Sequence, residues 1–372
     1  MVTWPEACDV LISPSPGQVV HAVRALGVGP RILLRPIALG VCGTDLDIIR
    51  GSREDHPAVL GHEGVARVVE TDIARDADLL GRLIVFNPVH PGDPTQVLGH
   101  SRPGVFGTWL SHSTVAEPWR PWTTLHPAVT PELGCLAEPV GVALYGLDIA
   151  HAVQVPERML IVGAGAIGQI YALTARLLGC QHVVLTDTSV DRLNWAESVG
   201  VVPPGSTIHI EGHMPWGRLA RAHDDGADLG VLCVPRRSAG VAAGWLLPRI
   251  RHGGLVVLVG GFGDEASLSA TPPIRPAQVR RLNNCGAPEI PSLAAHVLEG
   301  GRRVLVYGHR GTSTDHLQRA MALLAQHPHE YERLIEHMVP WSDAAEWLAE
   351  MATKRSATHP STRGKTLIRL PM

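Results

Sequence analysis

Six residues in the first part of the chain are of types that do chemistry. Cys42, Thr44 and Asp45 lie in GVCGTDLDII, residues 40–49; His62 and Glu63 lie in LGHEG, residues 60–64; Glu138 lies in LAEPVGVALYG, residues 136–146. A thiol, an imidazole and carboxylates can together hold a divalent cation such as zinc, with one position left open for water or substrate. A cysteine and a histidine can also act as nucleophile and base. Ordinary glycine-bracketed turns hold the same residue types. Cys42 and His62 sit on separate loops, so local spacing leaves all three readings open. Pro139 suits the first turn of a helix. Glu138 then stands at the helix mouth, where a carboxylate also complements the helix dipole.

A second pattern points to a nucleotide. Gly163, Gly165 and Gly168 have G-x-G-x-x-G spacing in VGAGAIG, and Asp187 follows in HVVLTD. An apolar run precedes the glycines and a helical pattern follows, which is the dinucleotide-binding context. Gly163 permits the tight turn, and Gly165 lets the backbone approach a pyrophosphate at the helix N-terminus, where Ala166 and Ile167 begin the first turn. Gly168 lets helix and strand pack closely. Asp187 is placed to accept hydrogen bonds from ribose hydroxyls and to repel a 2′-phosphate, so NAD(H) is expected over NADP(H); Arg192 lies close enough to modulate that preference.

These residues need two kinds of scaffold. Residues 1–150 carry short apolar runs broken by Gly and Pro, such as RILLRPIALGV, GVARVVE and GRLIVFNP, which predict a β-rich unit. Residues 87–108 are rich in Pro and Gly and are expected to be loop, with His90 and His100 as loop residues. From about Gln154 the texture changes. Buried-strand runs at 158–165, 182–187, 227–234 and 253–261 alternate with helical patterns at 166–179 and 189–200. That alternation predicts a parallel sheet built from βαβ units, with RVLVYG, 303–308, as a last strand. Helices are expected at 314–324 and 342–351, and a strand at 365–370. Residues 263–300 fit neither pattern.

Composition narrows the function classes. The chain has 372 residues, 45% hydrophobic and 18% charged, enough for two domains. A net charge of −3 gives no reason to expect nucleic acid or an anionic membrane as partner. The six cysteines are scattered, with no C-x-x-C pair, which suits reduced thiols and a cytoplasmic location. No membrane span and no secretory leader are expected.

GVCGTDLDI, GHEG, AEPVGVAL and VGAGAIG…TD, in this order, resemble the zinc-dependent medium-chain dehydrogenase/reductase superfamily, nearest its polyol, sugar and cyclitol branch. The resemblance covers most of the chain. It implies an α/β protein with a GroES-like β-rich catalytic domain, 1–152 with 309–372, and a Rossmann doubly wound parallel-sheet domain, 153–308. It implies Cys42, His62 and Glu138 as ligands of one catalytic zinc, and Glu63 as the acidic residue that ligates the metal or binds its water. Asp45 becomes the carboxylate orienting the histidine ligand, and Thr44 the hydroxyl receiving the substrate proton. The implied reaction interconverts a secondary alcohol and a ketone with NAD(H). The implied substrate is a small molecule, a polyol, sugar, cyclitol or aminocyclitol; the long segment 263–300 and Asp47 point to specialised metabolism such as antibiotic-sugar synthesis, and His56 and Glu117 are candidates either to hydrogen-bond the substrate or to sit on the surface. A homo-oligomer, dimer or tetramer, is a further expectation.

The chain also departs from that pattern. Asp47 stands where many relatives carry a proton-relaying histidine, so Asp47 is the candidate relay. The stretch 87–108 contains no cysteine, so no structural zinc is expected. Two other readings compete: a metal-free NADPH-dependent enone or quinone reductase of the same superfamily, and a non-catalytic NAD(H)-sensing protein. Retention of Cys42, His62, Glu138 and Asp187 argues against the reductase.

Overall fold

The computed structural model describes residues 5–27, 31–72, 74–112, 119–211, 226–263, 265–353 and 363–371. The chain divides into two compact units, Met1–Glu138 with Ser313–Met372, and Pro139–Thr312.

The first unit is built on a seven-stranded mixed sheet. Its spatial order is Ile335–Pro340, Lys365–Arg369, Ile32–Val41, Glu63–Thr71, Leu83–Phe86 and Trp122–Thr124, with Leu110–His112 also paired to Ile32–Val41. The two strands nearest the C-terminus pair in parallel; the other pairings are antiparallel. Leu34, Leu39, Ala66, Ile84, Phe86 and Ile368 share one core with Ile49, Leu60, Phe106, Trp341 and Leu348. Each fully buried aliphatic or Phe side chain there contributes about 1.5–3 kcal/mol relative to exposure. That core fixes the ends of Ile32–Val41 and Glu63–Thr71, the two strands that deliver Cys42 and His62.

The second unit is a doubly wound sheet. Its order is Thr207–His209, His182–Asp187, Arg158–Val162, Ala227–Leu232, Ile250–Leu258, Arg303–Tyr307 and Ala294–Val297, the first six parallel and the last antiparallel. Strands flanked by helices on both faces must be apolar throughout; Ala227–Leu232 is buried at every position. The strand order reverses beside Arg158–Val162, the topological switch point where such folds bind ligands. The helix Ala166–Leu177 ends as the sequence indicates, with Gly179 at a φ of +96° just beyond it.

One sequence expectation is corrected, and one unassigned segment gains structure. Residues 87–108 are not all loop: Val89–His90 and Asp93–Val97 form a two-stranded antiparallel hairpin. Pro91 and Gly92 mark its turn, and Pro94 is tolerated because the ribbon has only edges. The segment 263–300 contains a helix, Pro276–Arg281, and a strand, Ala294–Val297, that pairs antiparallel with Arg303–Tyr307. The compact units themselves part at Glu138/Pro139 and Thr312/Ser313. Most of the helix Ala137–His151 goes with the parallel sheet because its carbonyls are claimed there. Tyr171 Oη donates to Val142 O at 3.1 Å and Tyr307 Oη to Gly146 O at 2.7 Å.

Candidate active site

In the first unit the strand Ile32–Val41 runs directly into Cys42, which caps the helix Gly43–Ile49. The cap is stapled by Asp45, whose Oδ2 accepts the Cys42 amide at 2.9 Å. Cys42 Sγ lies 3.6 Å from Thr44 Oγ1. His62 and Glu63 stand where the paired strand Glu63–Thr71 begins. One ligand atom each from Cys42, His62 and Glu63 falls within 4.8 Å of the other two.

The imidazole is held in a defined sense. His62 Nδ1 faces Asp45 Oδ1 at 3.3 Å, and Nε2 faces Glu63 Oε1 at 3.9 Å. A carboxylate behind one ring nitrogen leaves the other aimed into the cluster, the arrangement by which a histidine ligand is oriented. Burial acts to lower the His62 pKa, but Asp45 and Cys42 outweigh it and hold the value well above 6.5. Burial likewise works against the Asp45 charge, and His62 more than offsets it.

Glu138 lies within the electrostatic reach of this cluster. Burial, reinforced by the charge of Glu63, pushes its carboxyl up to about 7. Lys365 donates to Glu63 Oε2. Burial disfavours the ammonium, yet Glu63, Cys42 and Glu138 raise its pKa overall. A thiol and three carboxyl groups, set against one lysine and one imidazole, leave an excess of anionic donors. The environment therefore favours added positive charge, and its soft and hard donors match zinc. The residues fit a divalent cation.

In the second unit Gly163 adopts a φ of +108°. A Cβ on Gly168 would lie 1.8 Å from Gly163 O, whereas one on Gly165 would meet nothing within 4 Å. Gly168 is thus required by packing, while Gly165 leaves open room at the N-terminus of Ala166–Leu177. Asp187 ends its strand with Oδ2 accepting the Ala164 amide at 2.7 Å. Arg192 Nη1 is 3.8 Å from the same oxygen. The glycine turn and the acidic residue are one hydrogen-bonded unit, shaped for a dinucleotide.

Comparison with known proteins finds likenesses among dehydrogenases. Residues 29–119 match the family Alcohol dehydrogenase GroES-like domain. An L-threonine 3-dehydrogenase of Cutibacterium acnes is 26% identical over 278 residues, 68% of this chain and 76% of that protein. A glucose 1-dehydrogenase of Caldivirga maquilingensis is 31% identical over 202 residues, 49% of this chain; the chain spans only 58% of that relative's length. The alcohol dehydrogenase TADH from Thermus sp. ATN1 superposes with a TM-score of 0.71 at 20% identity, covering 98% of this chain and all of that one, which is a likeness of fold. The GroES-like match and the dehydrogenase relatives make the chain similar to members of the medium-chain dehydrogenase/reductase superfamily. The GroES-like match falls within the first unit, and the likeness to TADH is one of fold.

The remaining sequence candidates fall as follows. Asp47 is engaged away from the cluster: its Oδ1 accepts from Arg50 Nη1 at 3.1 Å. Arg50 in turn donates to Met351 O and Ala352 O at 3.0 and 2.9 Å. His56 is exposed, and Glu117 lies outside the described residues. His90 accepts the Gly92 amide at 3.1 Å within its hairpin and packs edge-on against Trp119, with centroids 5.1 Å apart. His100 does not stay in a loop of its own. Its ring meets that of His62 edge-on, with centroids 5.3 Å apart.

Sequence reasoning missed Lys365 and the placement of His100. Lys365 is one of two lysines in the chain, and a lysine inside the apolar strand KTLIRL is a signal in itself, since lysine is rarely buried without a partner. His100 gave no such signal. Among the described residues no helix is long and apolar enough to cross a membrane.

Proposed function

We propose that this protein is a zinc-dependent, NAD(H)-linked dehydrogenase that interconverts a secondary alcohol and a ketone on a polyol, sugar or cyclitol. The observation that carries the reading is the convergence of Cys42, His62 and Glu63 within 4.8 Å, with Asp45 behind the imidazole; Glu138 is not among the three and is linked to them by the charge of Glu63 and His62. Cys42, His62 and Glu138 would hold the cation, and Glu63 would take part as a ligand or as the acceptor for a bound water. When bound, the cation supplies Lewis-acid polarisation of the substrate oxygen and the nicotinamide accepts the hydride.

The chain's own residues supply the rest. Asp45 fixes the orientation of His62. Lys365 neutralises Glu63, so that the site does not carry the full charge of its carboxylates. Thr44 Oγ1, adjacent to Cys42, takes the proton of the substrate hydroxyl as the carbon gives up hydride. Asp187 accepts the ribose hydroxyls and disfavours a 2′-phosphate by charge, which supports NAD(H) over NADP(H). With Asp47 committed to Arg50, the proton that Thr44 receives is better passed to water or cofactor hydroxyls than to Asp47. The sugar part of the reading draws on the relative that is a glucose 1-dehydrogenase.

The test is a panel of polyols, sugars and cyclitols with NAD⁺ and with NADP⁺, with metal content measured on the same sample. The expected result is about one catalytic zinc per chain, NAD⁺-linked oxidation, and loss of turnover in Cys42→Ser and Glu138→Gln with NADH binding retained. Full activity of a metal-free Cys42→Ser protein would overturn the mechanism. NADPH-dependent reduction of enones without metal would favour the reductase reading.

A further inference from the structure

His100 comes from the segment that follows the hairpin, and its ring packs at 62° against that of His62, with centroids 5.3 Å apart. Its Nδ1 edge faces the loop that leads from the helix Gly43–Ile49 towards His62. There it lies 3.5 Å from Arg53 Nη2 and 3.7 Å from Asp55 Oδ1. Arg53 Nε donates to Asp55 Oδ2 at 2.6 Å. Two loops, distant from each other in sequence, thus build one polar wall against a candidate metal ligand.

Three features give the wall a purpose. The ring's Nδ1 edge faces Arg53 and Asp55, which leaves Nε2 on the opposite edge. The side chains of His100, Arg53 and Asp55 keep 14%, 25% and 26% of their surface, so they are neither packed into the core nor free in solvent. Arg53 and Asp55 neutralise each other, which leaves donors and acceptors with no surplus charge. A neutral ligand carrying several hydroxyl groups suits such a wall. A carboxylate or phosphate would need an unpaired cation.

We propose that His100, oriented by Asp55 and Arg53, is a specificity-determining residue that hydrogen-bonds a hydroxyl next to the reacting carbon of a neutral, polyhydroxylated substrate. The proposal rests on the alcohol–ketone reading given above and names which part of the site chooses the substrate.

The experiment compares kcat/KM for the best substrate among sorbitol, xylitol and myo-inositol with kcat/KM for 2-butanol, which has no neighbouring hydroxyl, and for L-threonine, which carries both charges. The enzyme is the zinc-loaded wild type, His100→Ala, His100→Gln and Asp55→Asn. Binding of the polyol to the enzyme–NADH complex is followed by cofactor fluorescence, and zinc content is measured on each variant. In His100→Ala the polyol-to-butanol ratio falls about 10-fold, the equivalent of one lost hydrogen bond, mainly through KM and with weaker polyol binding. His100→Gln, which keeps a donor and an acceptor, recovers part of that loss, and zinc content stays at the wild-type level. An unchanged ratio, loss of zinc in His100→Ala, or a wild-type preference for L-threonine over every polyol would overturn the proposal. A wild type that binds NADH and zinc but oxidises no alcohol would instead overturn the alcohol–ketone reading, and this proposal with it.

Discussion

Asp187 Oδ2 accepts the amide of Ala164 at 2.7 Å while its Oδ1 accepts the amide of Ser189 at 2.8 Å. The carboxylate closes the glycine turn on one side and the next helix start on the other, so it does structural service before any nucleotide arrives. Asp187→Asn replaces one acceptor oxygen with an amide donor that faces a backbone N–H. We expect NAD⁺ affinity to fall by about 10- to 100-fold and stability by about 1–3 kcal/mol, the range for charge-assisted bonds and their loss. Titration with NADH and a denaturant melt measure the two separately.

The glycines of the turn divide by role. A Cβ on Gly168 would overlap the Gly163 carbonyl at 1.8 Å, whereas one on Gly165 would touch nothing within 4 Å. Gly168→Ala should therefore destabilise the second unit by about 1–3 kcal/mol, as overpacking does. Gly165→Ala should leave the melting temperature within about 2 °C, since a clash-free surface change usually falls within about 0.5 kcal/mol, and should weaken NADH binding by obstructing the pyrophosphate. Equal destabilisation by both would show that the open room at Gly165 is not a nucleotide cradle.

The buried Lys365–Glu63 pair gives a third expectation. Glu63 is 1% exposed and Lys365 3%. Lys365→Met leaves a buried carboxylate without its cation, and breaking such a pair costs about 3–5 kcal/mol. Combining Lys365→Met with Glu63→Gln should restore most of that stability, because both charges are then gone. A double-mutant cycle by urea denaturation reads the coupling directly. Additive losses would show that the two groups do not interact.

A pH dependence follows from Asp228, at the start of the strand Ala227–Leu232. Its Oδ2 accepts the amides of Glu157 and Arg158 at 3.0 and 2.8 Å, and its Oδ1 accepts from Arg251 Nε at 2.6 Å. Burial opposes the charge, but these bonds prevail and hold the pKa below 3.8. A lowered folded-state pKa means the stabilisation is fully present above the unfolded value, about 3.9, and is lost as pH falls through the folded value. Asp228→Asn should cost about 1.5–3 kcal/mol at pH 7, with the gap from wild type closing in melts below pH 4.

The parts legible in the sequence are those whose physics is local. The run RMLIV, the glycine turn and the periodic helix behind it lie within one βαβ unit, so period and turn chemistry were enough. Cys42, Asp45 and His62 were visible as residue types in short loops, and only folding could show them meeting. His100 was invisible because its importance comes from a loop packing onto His62, not from its neighbours in sequence. The hairpin 89–97 was hidden because Pro and Gly mark turns and irregular loops alike. The strand Ala294–Val297 sits on a sheet edge and lacks the uninterrupted apolar run of the central strands.

The strand Lys365–Arg369 is inserted between Ile335–Pro340 and Ile32–Val41, beside the strand that delivers Cys42. Translation therefore produces Cys42, His62, Glu63 and Glu138 well before the lysine that neutralises Glu63. Until that strand leaves the ribosome, the nascent first unit has a gap in its sheet and an uncompensated acid beside its donors. Glu63 is thus neutralised from 302 residues further along the chain.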